Sequence, residues 1–125
     1  MQITFAEAEF VSKKKQTRRD RLLMDLETLV PWPVLESVIE PYYPKSDGKR
    51  GRPTMGLSRM LRMYILQQVM GFSDEGTEDA VYDSAAIQLF MDIDLGRDAV
   101  PDATTLLRFR RLLETHGLTQ QIFAA

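Results

Sequence analysis

The sequence predicts an all-α fold: a compact bundle of six to seven short helices with a helix-turn-helix-like arrangement. Three observations indicate this class. Apolar residues recur at three- and four-residue intervals, the alternation typical of strands is scarce, and capping residues, prolines and glycines separate the periodic segments. A chain of 125 residues that is 44% hydrophobic fits one core. We therefore expect one domain over residues 1–125, with residues 1–16 as a flexible basic arm.

The first half of the chain predicts two helices followed by a loop. A one-sided apolar stripe covers residues 17–30 and ends at Pro31, and its members are Leu22, Leu26, Leu29 and Val30. Pro33 suits the first turn of a second helix over residues 34–40, which Pro41 closes. Residues 44–56 contain three glycines and two prolines among polar residues, so we expect a loop there.

The second half predicts a central helix and four shorter ones. Apolar residues surround most of the circumference over residues 57–70, which is typical of a helix buried on several sides, and a glycine follows it. Serines cap the next two helices, over residues 74–82 and from residue 85 to 90 or 91. Asp102 caps a basic helix that ends before Gly117, and a last turn covers residues 119–123.

Several kinds of catalytic or cofactor site are excluded by residue types. The chain has no cysteine and one histidine, so thiolate zinc sites and cysteine nucleophiles are absent. The acidic stretch 92–98 resembles a calcium loop, but glycine falls at position 5, Arg97 lies inside the loop and Ala103 occupies position 12. His116 is better explained as a cation at a helix C-terminus than as a base. We expect a non-enzymatic chain without a metal, another cofactor or a small-molecule substrate.

The charge distribution favours a nucleic-acid partner over a membrane. Residues 13–21 are too charged for a signal peptide or a membrane span, so we expect a cytoplasmic protein without membrane contact. The net charge is -2, yet residues 1–56 carry 10 Lys and Arg against 8 Asp and Glu, whereas residues 57–125 carry 6 against 10. Local clusters matter more than the total, because charges are screened beyond about 10 Å. Two clusters supply candidate contacts to the DNA backbone, and their members are Arg18, Arg19, Lys49, Arg50 and Arg52. The alternative is that both clusters are ordinary solvated surface.

The third basic cluster lies on the helix that Asp102 caps, and helical geometry divides its side chains. At 100° per residue, Leu106, Phe109 and Leu113 share the core face. The opposite face carries Thr104, Leu107, Arg108 and Arg111. Arg110 lies four residues before Glu114, which predicts an ion pair. Thr104 and Thr105 followed by arginines suit a helix in the DNA major groove, and a solvated basic face is the alternative.

An ordered set of phrases resembles one family. The phrases are "TFAEAEF", "LVPW", "VIEPYYPK", "GRP", "LSRMLRMYILQQ", "GFSDEGTEDAVYD", "LFMDIDL" and "VPDATTLLRFRRLLETHGL". Together they cover nearly all of the chain. The chain resembles the N-terminal domain of bacterial insertion-sequence transposases of the IS5 family, of the InsH-like type.

The resemblance implies a function in DNA transposition, a form of DNA recombination. A family N-terminal domain binds double-stranded DNA at the terminal inverted repeats and helps to assemble subunits. A following ribonuclease-H-like domain carries the three DDE acids, which use magnesium; no acid here matches them. The implied location is the bacterial cytoplasm, at the nucleoid. The alternative is a protein-interaction module: a truncated transposase that dimerises with itself or with full-length transposase, or inhibits it.

Overall fold

Seven α-helices and one 3-10 turn make up the part of the chain that the computed structural model describes, which is residues 5, 6, 8, 15–44 and 55–124. The helices are α1 (Arg18–Leu29), α2 (Trp32–Ile39), α3 (Leu57–Met70), α4 (Asp74–Asp83), α5 (Ala85–Met91), α6 (Ala103–Thr115) and α7 (Leu118–Ala124). The 3-10 turn is Glu40–Tyr42, and no strand occurs among the described residues. The predicted all-α bundle is confirmed.

Capping residues and a glycine mark several helix ends; Ser73, Ser84 and Gly71 were predicted to do so, whereas Thr17 was not. Thr17 begins α1 through a capping box, in which its hydroxyl accepts from the Asp20 amide at 3.1 Å and the Asp20 carboxylate accepts from the Thr17 amide at 2.9 Å. Ser73 and Ser84 cap α4 and α5 in the same position. Gly71 ends α3 with a φ of 70°, a left-handed conformation that glycine adopts without steric cost.

Several helix boundaries differ from the predicted ones. Helix α2 begins two residues early, at Trp32, because Pro33 needs no amide partner in a first helical turn. Pro41 does not close that helix directly; it lies inside the 3-10 turn that follows. Helix α4 runs one residue further than predicted, to Asp83, and α7 extends the predicted last turn by one residue at each end.

Helix α3 lies at the centre of the bundle, as its all-round apolar pattern predicts. It packs against α2, α4, α5 and α6, while α1 packs on α5 and α7 packs on α2 and α6. Its fully buried members are Met60, Leu61, Met63 and Leu66. Within the described ranges, no helix is both long enough and apolar enough to cross a bilayer.

Two arginines of α3 hold the C-terminal end of α5. The Arg62 guanidinium donates to the Phe90 carbonyl at 2.9 Å, pairs with Glu27 of α1 at 2.6 Å and lies 4.4 Å from the Trp32 ring centre. Arg59 donates to the carbonyls of the last residue of α5 and of the next one. Cations at a helix C-terminus satisfy carbonyls that have no partner within the helix. We therefore assign these two arginines to the stability of the bundle and not to the binding of another molecule.

Candidate nucleic-acid interface

Helix α6 presents the two faces that its periodicity predicts. Leu106, Phe109 and Leu113 are buried, with at most 4% of each side chain exposed. Thr104, Arg108 and Arg111 are exposed on the other side. Leu107 differs from the expectation, because it is half-buried. Thr105 is also half-buried, and its amide donates to the Asp102 carboxylate at 2.7 Å.

A groove of about 530 Å³ runs along α6. One wall carries Thr104, Thr105 and Arg108, and Asp102 lies at its start. The opposite wall is formed by residues before and after the segment 45–54, namely Tyr43, Pro44 and Met55. Phe109, Met60 and Leu112 complete the lining. Polar groups of α6 thus face an open groove over a mainly apolar base.

Tyr43 holds the second wall in place. Its ring packs edge-on against Phe109 with centroids 6.0 Å apart, and its hydroxyl donates to the Met55 carbonyl. Burial raises the pKa of Tyr43 to about 12, so the hydroxyl keeps its proton at physiological pH. Sequence reasoning missed Tyr43, and the only available signal was an aromatic pair directly before a glycine-rich loop.

Among the described residues, Arg108 is the predicted basic residue that lines the groove. Lys49, Arg50 and Arg52 lie outside the described residues, but the segment 45–54 that carries them begins and ends at groove residues. Arg111 is exposed on α6 outside the groove lining. Among the described residues, the groove therefore contains Arg108 of the α6 cluster and the residues on either side of the segment 45–54.

Arg18 and Arg19 lie elsewhere. Both are exposed in the first turn of α1, and no residue of α1 lines the groove. The Arg19 guanidinium lies 6.0 Å from the ring centre of Phe72, in the turn between α3 and α4. These two arginines form a second basic position, separate from the groove.

Comparison with known protein families identifies the class of this chain. The family model described as Transposase domain (DUF772) matches residues 10–112. The chain belongs to this transposase-domain family. The matched range contains every residue that lines the groove. No solved structure matches this chain.

Arg110 of the transposase domain is structural, as predicted, but the predicted partner was wrong. Its guanidinium binds both carboxylate oxygens of Asp74 on α4, at 2.5 and 3.1 Å, and reaches Gln67 of α3 at 3.3 Å. Glu114, the predicted partner, contributes only a longer-range attraction. The α4–α6 packing places Asp74 in direct reach, which a comparison of positions within one helix cannot detect. The hydrogen bond from Arg110 lowers the pKa of Asp74, against the opposing effect of burial.

The pair predicts a pH-dependent contribution to stability. Because the pKa of Asp74 is lowered in the folded transposase domain, its stabilisation is present above the ordinary aspartate pKa of about 3.9 and is lost as pH falls through the folded value. Asp74→Asn should reduce the free energy of unfolding by about 2 kcal/mol at pH 7 and by less at pH 3, measured by urea unfolding. Asp79→Asn, at an exposed acid of the same helix, is the control. Equal losses at both pH values would contradict the assignment.

Two carboxylates occupy the N-terminus of α6. Glu78 of α4 accepts from the Ala103 amide at 2.8 Å, and Asp102 accepts from the Thr105 amide. Free amides at a helix N-terminus favour anions, but here carboxylates already take that position. The start of α6 in the transposase domain is therefore unsuited to a phosphate, and Arg108 is the cation next to it in the groove.

The helix-turn-helix-like arrangement stays a prediction. Such motifs join two helices by a turn of about three to four residues. Residues 92–102 separate α5 from α6, whereas the short link 71–73 leads into α4, whose first turn is acidic. The connection before the basic helix α6 is thus longer than the turn of such a motif.

The remaining candidate groups have structural explanations. His116 stacks on Tyr42 with ring centres 4.3 Å apart, at the end of α6. In the calcium-like loop, Asp94 accepts from the Gly96 amide, and Asp98 accepts from the Asp94 amide and lies 3.7 Å from Arg59. Across residues 15–44 and 55–124, no three His, Asp or Glu side chains are grouped so that they could hold a metal ion.

Proposed function

We propose that this transposase domain binds double-stranded DNA at the terminal inverted repeats of an IS5-family, InsH-like insertion sequence, helps to assemble transposase subunits, and does not itself catalyse strand transfer. The observation that carries the proposal is the groove, which sets Thr104 and Arg108 of α6 opposite Pro44 and Met55. The family match and the resemblance supply the biological context.

The groove suits DNA because it offers two kinds of contact. Small polar residues at the start of a helix can meet base edges, and an arginine one turn later can reach guanine or a phosphate. Thr104, Thr105 and Arg108 have this order on α6. Lys49, Arg50 and Arg52 belong to the segment that joins Pro44 to Met55, and we assign these three to phosphates. Arg111 extends the cationic face of α6, and we assign it with Arg108 to the DNA groove.

The acidic balance of residues 57–125 is compatible with this proposal. Three of the six arginines there, Arg59, Arg62 and Arg110, are engaged in contacts within the bundle. Asp74 and Glu78 likewise have internal partners. Local position therefore matters more than the net count, because Arg108 and Arg111 are exposed together on α6.

Arg18 and Arg19 support a second backbone contact. Both lie in the first turn of α1, where the helix dipole disfavours cations. The helix dipole therefore does not favour two arginines at this position. Arg19 has a contact with the Phe72 ring, and a bound phosphate would favour both arginines. We assign them to the DNA backbone outside the groove.

A binding assay on duplexes with and without the flanking inverted repeat tests the proposal. Affinity should fall steeply between 50 and 200 mM salt, because each neutralised phosphate releases counterions. Arg108→Ala with Arg111→Ala should remove the preference for the inverted repeat, since a good bidentate base contact is worth about 1–3 kcal/mol. Arg97→Ala, at an exposed arginine outside the groove lining, should keep that preference. An unchanged preference in the double variant would overturn the assignment.

The second candidate function is the protein-interaction module. Helix α3 does not supply its contact surface, because the apolar residues of that helix are largely buried in the core. The surface that favours this candidate lies between α1 and α5. A groove of about 330 Å³ between α1 and α5 has both apolar and polar lining residues, and Leu29 on α1 is 77% exposed. The apolar ones are Leu23, Met24, Ala86, Leu89 and Phe90, and the polar ones are Asp20, Glu27 and Thr28. Light scattering separates the candidates: a strict monomer without affinity for full-length transposase would exclude this one.

A further inference from the structure

We propose that the exposed face of α1 is a self-association surface, on which a second copy of this chain packs with its own α1 antiparallel to the first. The inference rests on the subunit-assembly part of the proposed function, and it names the partner and the contact. It leaves the groove along α6 uncovered, because no residue of α1 lines that groove.

The surface is a stripe along the side of α1 that faces away from the bundle. Helix α1 has 12 residues, so it is about 18 Å long. Four of its exposed residues fall within an arc of about 100° around the helix axis: Arg21, Met24, Asp25 and Thr28. Leu29, which is 77% exposed, extends the stripe at the last residue of the helix.

The two charged residues of this stripe are not used within the bundle. The other two acids of α1 are engaged, because Asp20 caps the helix and Glu27 pairs with Arg62. The side chains of Arg21 and Asp25 make no hydrogen bond or ion pair with any residue in the part of the chain that the structure describes. They lie one turn apart with the arginine first, which is the less favourable order for pairing within a helix.

The order of these charges fits a second copy of the same helix. From its N-terminus, the stripe carries a cation, then a methionine, then an acid. A copy of α1 that runs in the opposite direction presents the acid where the first copy presents the cation. In a two-fold contact, residue i meets residue j while j meets i. Arg21 of each copy therefore lies opposite Asp25 of the other, and the ion pair forms twice.

The same register brings apolar side chains together. Pairing of position 21 with position 25 centres the contact on position 23, so the Met24 side chains of both copies lie next to each other beside the axis. Met24 is 48% exposed and also lines the groove between α1 and α5, together with Leu89. Methionine suits such a contact, because its flexible side chain adapts to the surface that it meets.

The small size of the contact makes the dimer weak and reversible. A pair of helices of this length buries less than the roughly 1,200 Å² of a standard stable interface. Arg18 falls opposite Thr28 near each end of the contact. The first turn of α1 thus lies at the edge of the interface, where a phosphate can reach it.

Charge reversal tests the contact through the dissociation constant, measured by sedimentation equilibrium. The wild type should dimerise at about 50 mM salt, where surface charges are weakly screened. Arg21→Asp and Asp25→Arg should each raise the dissociation constant at least about tenfold, because like charges then face each other twice. A one-to-one mixture of these two variants should associate at least as tightly as the wild type, since each pair across the axis again joins an arginine to an aspartate.

Two controls accompany these variants. Arg97→Asp changes an exposed charge outside α1 and should leave the dissociation constant unchanged. Met24→Cys introduces a single cysteine into a chain that has none, so it tests the register even if a charge variant fails to fold. A bismaleimide that spans about 8–10 Å, one distance between packed helices, should join two copies through it. Phe123→Cys on α7, at a side chain that is 55% exposed, should give no such product.

The outcomes separate this inference from the DNA-binding function. A wild type that stays monomeric up to about 0.5 mM overturns the inference, because even weak complexes form at that concentration. A mixture that associates no more tightly than its separate variants also overturns it. Preference for the inverted repeat is measured independently: Arg21→Asp should keep it, since the α6 groove is unchanged. A wild type that dimerises without this preference supports the inference and overturns the DNA-binding function.

Discussion

Leu106→Ala is expected to lower the free energy of unfolding by about 3–4 kcal/mol, several times the cost of the same truncation at Leu107. Leu106 is 0% exposed on the core face of α6, so its truncation loses buried area and leaves a cavity. Leu107 is half-buried on the other side of the same helix. The neighbouring leucines differ only in the face that they occupy.

Urea unfolding followed by circular dichroism measures both variants against the wild type. Equal losses at Leu106 and Leu107 would contradict the facial assignment of α6, and with it the orientation of Arg108 and Arg111. The pair of variants therefore tests the geometry of the candidate interface without DNA. Neither leucine lines the groove, so the comparison is independent of the binding assay.

Arg62→Ala is expected to destabilise the bundle by about 3 kcal/mol. Its guanidinium joins four helices: it belongs to α3, pairs with Glu27 of α1, lies over the Trp32 ring of α2 and donates to the Phe90 carbonyl of α5. Hydrogen bonds to charged groups contribute about 1.5–3 kcal/mol, and a partly desolvated cation over an aromatic ring adds about 1–2 kcal/mol. The Phe90 carbonyl also loses its donor.

Two related variants separate these contributions. Arg62→Met keeps an apolar side chain of similar length, so part of the packing against Trp32 remains and the loss should be smaller. Glu27→Gln removes only the charge of a partner that is 56% exposed, and should cost about 0.5 kcal/mol. The measurement is again the free energy of unfolding in urea. A loss at Glu27 equal to that at Arg62 would show that the ion pair alone is responsible.

Local signals explain why most of the fold could be predicted from the sequence. A cap such as Ser73 or a left-handed stop such as Gly71 acts within a few residues, and its chemistry can be read directly. The core face of α6 follows from one angle per residue. The start of α2 was placed too late because a proline is compatible with more than one position of a first helical turn.

Tertiary partners explain what the sequence could not show. Arg110 was assigned to Glu114 because that residue is its neighbour on one helix, whereas its actual partner, Asp74, comes from α4. Arg59 and Arg62 were not singled out, although two cations on an otherwise apolar helix are a signal for internal pairing. From the sequence alone, an arginine that pairs within the bundle cannot be distinguished from an exposed one, because its partners are not known.

In the candidate site, too, local features could be predicted from the sequence and tertiary contacts could not. The exposed position of Thr104, Arg108 and Arg111 was predicted from α6 alone. The opposite wall was not, because Tyr43 and Met55 meet α6 only through the packing of the bundle. Their assignment to DNA stays a prediction that the binding assay tests.

The hydrogen bond from the Tyr43 hydroxyl to the Met55 carbonyl fixes the distance between two residues that lie on either side of the segment 45–54. Doubling the length of a connection whose ends are held costs only about 0.6 kcal/mol in entropy. A change in the length of the segment between Tyr43 and Met55 is therefore expected to cost little free energy of unfolding, as long as the two residues keep this hydrogen bond.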